Sequence, residues 1–374
     1  MRHNLILTIM VSTVWATFAC AFGQTTEPPR IQVAVLLDTS NSMDGLIDQA
    51  RTELWRIVNE FIPVKKGGQR PTLEVALYEY GNDRLSSSTG FIRQVLPLTD
   101  DLDSVSEKLF ALRTNGGQEY CGMVIGKAVD ELHWSTSSQD LKAIFIAGNE
   151  PFSQGPVDYR QACRQAVSKG ITVSTIHCAL GQSAEASGWR EGAQLADGAY
   201  TSIDQNRRAE VIPAPQDQEL QRLSGLLNGT YVPFGDAGAA GVKNQVAQDS
   251  NANASAPGVA VQRAIAKSSQ YYRNSSWDLV DAVKQGEVDL AKVKPEQLPE
   301  PMRKMTVEQR KALLEEKAKE RTDLQAQIQK LGQARQQYVQ TEMKKRAASG
   351  VKRLDSAIIE NVRQQAVRKK FEVE

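Results

Sequence analysis

Asp38, Ser40 and Ser42 place one carboxylate and two hydroxyls at alternate positions of the chain. Such a set suits a hard divalent cation, which takes oxygen ligands and keeps several waters. The three residues follow an apolar run, Val33 to Leu37, of the kind that forms a strand buried on both faces of a sheet. A loop leaving the carboxyl end of a parallel strand is where open α/β sheets place their ligands. The helical pattern that follows, Leu46 to Phe61, turns its positive N-terminal end to the same region and favours anionic groups there. The plainer reading makes Asp38 a helix N-cap and the serines turn residues.

Elements able to position such a loop recur along the chain. Strand patterns cover Ile31 to Leu37, Thr72 to Tyr80, Phe91 to Leu98, Leu141 to Ala147, Ile171 to His177 and Ala199 to Ile203. Helical patterns lie between them, the first with Leu46, Ala50, Leu54, Ile57 and Phe61 near one face. Gln218 to Leu227 is expected to close the domain as a helix. Alternating strand and helix, with one antiparallel hairpin at the edge, predicts an α/β fold. Its sheet is doubly wound, mostly parallel and Rossmann-like.

In this setting Asp38-Thr39-Ser40-Asn41-Ser42-Met43-Asp44-Gly45 resembles the DxSxS metal site of von Willebrand factor type A (vWA) domains, and the resemblance spans residues 29–234. That family completes its cation shell from two further loops. In the first, Gln118 stands at the usual Thr position and Glu119 beside it, with Thr114 just upstream. Glu119 serves a hard cation better than a neutral amide; the bland reading is an acid in the first turn of a helix. The other loop departs from the family, since Gly148 takes the place of the usual Asp, next to Asn149 and Glu150. The resemblance therefore implies an incomplete MIDAS-like site with Asp38, Ser40, Ser42 and Glu119 as metal ligands. Its cofactor would be Mg2+ (or Ca2+ or Mn2+), and its open position would accept an acidic residue of a protein partner. A metal-free structural module of the envelope is the second reading, and a metal-dependent hydrolase the third.

Catalysis is not expected. His133 and His177 are the histidines beyond the N-terminal stretch, and His177 and Cys178, being adjacent on a strand, point to opposite faces. No nucleophile–base pair, phosphate-cradling loop, dinucleotide fingerprint or paired-histidine zinc helix is found in the sequence.

The formal net charge of the 374 residues is +1, which gives no global field toward nucleic acid, and no nucleic-acid partner is expected. Residues 1–23 read as an export signal: Arg2 and His3, an apolar stretch from Leu5 to Val14, then Ala21-Phe22-Gly23. Lipoprotein processing at Cys20 and an uncleaved membrane anchor are the alternatives. An exported chain, periplasmic or extracellular, is expected to hold one disulfide and one free thiol among Cys121, Cys163 and Cys178. Residues 235–260 read as a polar linker, and 261–374 as a helical extension. Within it, Val307 to Arg346 carries a partial heptad seam of Leu314, Leu324, Ile328, Leu331 and Tyr338, interrupted by Arg321 and Arg335. A two-chain coiled coil, a helix folded back on its own neighbours and a charged solvent-facing helix all fit that pattern. Residues 301–374 hold 18 Lys and Arg against 10 Asp and Glu, most simply a solvated face.

Overall fold

The computed structural model describes residues 28–179, 183–206, 212–256, 258–345 and 354–373; the expected export signal lies outside them. The first strand, β1 (Arg30–Asp38), is apolar on both sides because it runs through the middle of a sheet. In chain order follow α1 (Asp44–Asn59), β2 (Val64–Lys65), β3 (Thr72–Tyr80), β4 (Ile92–Thr99), α2 (Leu102–Ala111), α3 (Cys121–Glu131), β5 (Leu141–Gly148), α4 (Tyr159–Ser168), β6 (Thr172–His177), α5 (Ala186–Leu195), β7 (Asp197–Ser202) and α6 (Asp217–Asn228). Six strands make one sheet in the order β4-β3-β1-β5-β6-β7. Only the β3–β4 pair is antiparallel, as the hairpin pattern predicts. The fold is the doubly wound α/β sheet expected from the alternation.

Register sets the functional end. Asp38 lies opposite Tyr80 and Leu37 opposite Ala147, so β1, β3 and β5 finish together and their exit loops form one crest. Below it each sheet face has its own core. Ala34, Leu36, Ile144 and Ile146 meet α3, α4 and Trp189 of α5. Ile31, Val33, Leu37, Ala143 and Phe145 meet α1 and α2 on the other side.

The C-terminal third is α7 (Gly238–Ser255), α8 (Val259–Lys267), α9 (Leu279–Lys284), α10 (Val307–Lys345), α11 (Leu354–Arg368) and β8 (Glu372–Val373). It folds onto the sheet domain. The helix expected to close the domain, α6, points Leu220, Leu223 and Leu227 at α8 and α10 instead. The closing position belongs to α11. Its Leu354, Ala357, Ile358, Val362 and Ala366 join the α1-side core, and the helix lies over β5, β6 and β7. The chain then returns through β8, which pairs antiparallel with β2.

Two expectations are revised and one left open is decided. Residues 235–260, read as linker, contain the 18-residue α7, whose buried face is made of Gln245, Gln248 and Ala252. The polar seam positions of α10 are anchors within one chain. Arg321 pairs with Asp278 and Asp281, each at 2.7 Å, and Arg335 with Asp217 at 2.6 Å, all from elements of the same chain. Leu324 and Ile328 are likewise buried against neighbouring helices. Finally, Cys121, Cys163 and Cys178 are buried free thiols. Cys178 belongs to the α1-side core and the other two to the opposite one, so the sheet lies between them.

Candidate functional site

Asp38 ends β1 with its side chain buried. Oδ1 accepts the Ser40 backbone N–H at 2.8 Å, while Oδ2 is buried without a hydrogen-bond partner. The Ser40 and Ser42 hydroxyls are 3.4 Å apart. Asn149, from the loop after β5, donates its Nδ2 to the Ser42 hydroxyl at 3.2 Å. The β1 and β5 loops are thus tied together beside Asp38.

The loop before α3 supplies the second carboxylate. Gln118 is exposed and accepts a hydrogen bond from the Tyr120 hydroxyl, whereas Glu119 is turned inward and buried. Gln154 fixes the turn by accepting the Glu119 backbone N–H through its Oε1. Thr114 donates its hydroxyl to Asp44, and the Asn115 N–H donates to the Thr39 carbonyl at 2.9 Å, so this loop is stitched to the β1 loop. Gly81, at the end of β3 with φ +77°, makes the approach feasible. A Cβ there would stand 2.8 Å from Glu119 Cγ and 3.0 Å from Asp38 Oδ1.

Burial and mutual charge dominate the electrostatics. Burial pushes Asp38 up from 3.8 to about 7, and the charges of Glu119 and Glu150 act in the same direction against hydrogen bonds from Ser40. Glu119 also rises to about 7, by burial first and by Glu150 next, again opposed by a hydrogen bond from Ser40. Ser40 therefore sits between two carboxylates whose proton affinities are both raised, that of Asp38 in part by Glu119. Gly148 contributes no donor; the space beside it is filled by Asp38 and the Tyr80 hydroxyl, which donates to the Ala147 carbonyl at 3.0 Å. Among the described residues no three His, Cys, Asp or Glu side chains converge where they could hold an ion. The oxygen donors that do meet are two carboxylates and two hydroxyls.

The structure thus brings Asp38, Ser40, Ser42 and Glu119 to one crest. Tyr80, Gly81 and Gln154, which shape that crest, carry no motif; the positive φ of Gly81 is foreshadowed only by its place at a strand end. His177 stacks on Trp189 with ring centroids 5.4 Å apart, and burial holds its pKa below the usual imidazole range. The buried thiols of Cys121 and Cys178, both pushed up by burial, are poor nucleophiles.

Solved structures similar to the chain include BatB of Bacteroides thetaiotaomicron, with 19% identity over 46% of this chain and 90% of that one, at a TM-score of 0.35. An aerotolerance-related membrane protein of Bacteroides fragilis shows 17% identity over 47% and 93%, at 0.33. The SpRpn10 VWA domain shows 15% over 46% and 88%, at 0.35. No curated protein matches the chain. The family model described as von Willebrand factor type A domain matches residues 32–205, which runs from within β1 through β7 and includes all three crest loops. Residues 32–205 of this chain are a von Willebrand factor type A domain.

Proposed function

We propose that this chain is a binding protein, not an enzyme, whose crest grips an acidic side chain of a partner protein through a divalent cation held by Asp38, Ser40, Ser42 and Glu119. The observation that carries the reading is the buried Asp38 Oδ2, which has no hydrogen-bond partner and shares Ser40 with a second buried carboxylate. An unpaired buried carboxylate is costly unless a proton or a cation meets it. A hard divalent ion such as Mg2+ supplies two positive charges that offset Asp38 and Glu119, and a Lewis-acidic point for a carboxylate from outside.

The chain's own residues do the positioning. Asn149 orients the Ser42 hydroxyl, Gln154 holds the Glu119 backbone, and Gly81 leaves room for both carboxylates. With two carboxylates and no donor at Gly148, affinity for the ion is expected to be modest, since it follows ligand charge count. The reading includes export to the periplasm or beyond, supported by the basic start and apolar stretch of residues 1–23.

One observation favours a second reading, a metal-free envelope module: Gly148 presses against Asp38 and gives nothing to an ion. Capture of partners from the native envelope fraction, with 5 mM Mg2+ or with EDTA, separates the two. Loss of a captured protein in EDTA and in the Asp38→Ala variant supports the cation-dependent reading. Capture indifferent to both supports the module.

A further inference from the structure

The end of the sheet opposite the crest concentrates positive charge that outnumbers the acids around it and is held mainly by backbone carbonyls. Lys66 follows β2, Lys142 lies at the start of β5, and Arg368 ends α11 with Lys369 just after it. Each donates to a backbone carbonyl: Lys66 to Gln139, Lys142 to Ser135 at 2.9 Å and Lys169 at 2.7 Å, Arg368 to Asp197 at 3.2 Å, and Lys369 to Ser138 at 3.1 Å. Carbonyls hold these cations in place without cancelling their charge.

The crowding is felt electrostatically. Lys66 is held below the usual ammonium range, by burial first and then by Lys369 and Lys370, with Asp140 opposing. Lys142 is lowered by burial and by Lys369. Among the acids on this face, Asp140 is buried and accepts from the Arg30 N–H and the Ser135 hydroxyl, Glu372 stands opposite Lys65 in the β2–β8 register, and Asp197 is exposed beside Arg368.

Two further features share this face. Val367, 66% exposed, lies three residues before the exposed Lys370 on the outer side of the last turn of α11. An apolar side chain flanked by cations suits a bilayer interface. The chain also enters the fold here, because the Arg30 N–H is bound to Asp140. Among the described residues no helix is long and apolar enough to cross a membrane.

We propose that this basic face, centred on Lys66, Lys369 and Lys370, rests on an anionic lipid surface, with the Asp38 crest turned away from it. The nine residues of β1 separate the two ends by about 30 Å, enough to keep the crest clear of the headgroups. The inference is independent of the cation reading, since it uses none of the crest residues.

Co-sedimentation of the full chain with vesicles of phosphatidylcholine alone, and with 30% phosphatidylglycerol, tests it. Each basic side chain near an anionic bilayer is worth roughly fivefold in binding. Wild type should prefer the anionic vesicles by about 100-fold in 0.1 M salt and lose most of that preference in 0.5 M salt. Lys66→Gln/Lys369→Gln/Lys370→Gln should abolish the preference while keeping the wild-type melting temperature; Gln retains an N–H for the carbonyls. Should the triple variant unfold, Lys370→Glu alone, at an exposed position, should still cut the preference at least fivefold. Equal binding to both vesicle types overturns the proposal. So does an anionic preference that survives both variants, or binding to an oligonucleotide with none to vesicles.

Discussion

Asp38 Oδ2 lies 3.0 Å from the point where a Cβ on Gly148 would stand, so the buried carboxylate occupies the space a side chain at 148 would need. The departure from the family pattern is therefore built into the packing. Restoring the family residue with Gly148→Asp is predicted to lower stability by about 1–3 kcal/mol, the usual cost of overpacking, and not to tighten cation binding. Adding Tyr80→Phe removes the hydroxyl that the new Cβ would strike and should regain part of the loss. Urea unfolding of the single and double variants measures both effects. A Gly148→Asp variant as stable as wild type would show that the crest can open.

The raised carboxyls of the crest predict a pH signature. Asp38 rises in the folded state from 3.8 to about 7. The folded protein therefore binds the proton more tightly than the unfolded chain, and this contribution to stability is fully present below about pH 4. It is lost as pH climbs through about 7, by at most about 4 kcal/mol. Asp38→Asn, which is neutral throughout, should lack that loss. The difference in urea midpoints between wild type and Asp38→Asn, followed from pH 4 to 8 in EDTA, should turn steadily in favour of the variant. A difference that does not change with pH would remove the electrostatic basis of the site.

The helical extension is clamped to the vWA domain by buried charge. Arg263 of α8 donates from Nη1 to Asp103 Oδ1 of α2 at 2.6 Å, and the Tyr272 hydroxyl donates to Asp103 Oδ2 at 2.6 Å. Arg263 also meets Asp249 and stacks over Trp55 at 4.6 Å. Removing one partner leaves a buried charge unmatched, so Asp103→Ala should cost about 3–5 kcal/mol. Replacing the Asp103 and Arg263 pair together with apolar residues should cost much less than the two single changes combined. A double-mutant cycle in urea checks this; additive losses would mean that the pair is not coupled.

The last helix, α11, is predicted to be part of the domain and not an appendage. Ile358 and Val362 are buried between α1 and the sheet. Ile358→Ala should cost about 2–5 kcal/mol, read as a drop in the single unfolding midpoint of the whole chain. Truncation after residue 345 should expose the α1-side core and increase binding of a hydrophobic dye at neutral pH. A truncated chain that melts like wild type would show that the sheet closes without α11.

The parts of this structure that were legible in the sequence are those encoded locally. The apolar run before Asp38, the alternating serines and the hairpin between Thr72 and Leu98 are each patterns of contiguous sequence, and β1, β3 and β4 lie where those patterns put them. Glu119 was reached through its loop, and the structure turns it inward while Gln118 faces out. What stayed hidden depends on distant partners. α7 buries amides rather than aliphatics: Gln245 donates to the Tyr272 hydroxyl and Gln248 accepts from Ser106, so its pattern looks like a linker. Arg321 and Arg335 look like defects in a seam until Asp278, Asp281 and Asp217 are seen across from them. The exchange of α6 for α11 over the sheet cannot be read from either helix alone, because both carry an apolar face of ordinary width.

The central claim is that the Asp38 crest takes a divalent cation, and calorimetric titration of Mn2+ into the full chain at pH 7.5 tests it most directly. The account predicts one saturable site in wild type, weakened roughly tenfold or more by Glu119→Gln and abolished by Asp38→Ala. Identical heats from wild type and Asp38→Ala, with both proteins folded, would contradict it.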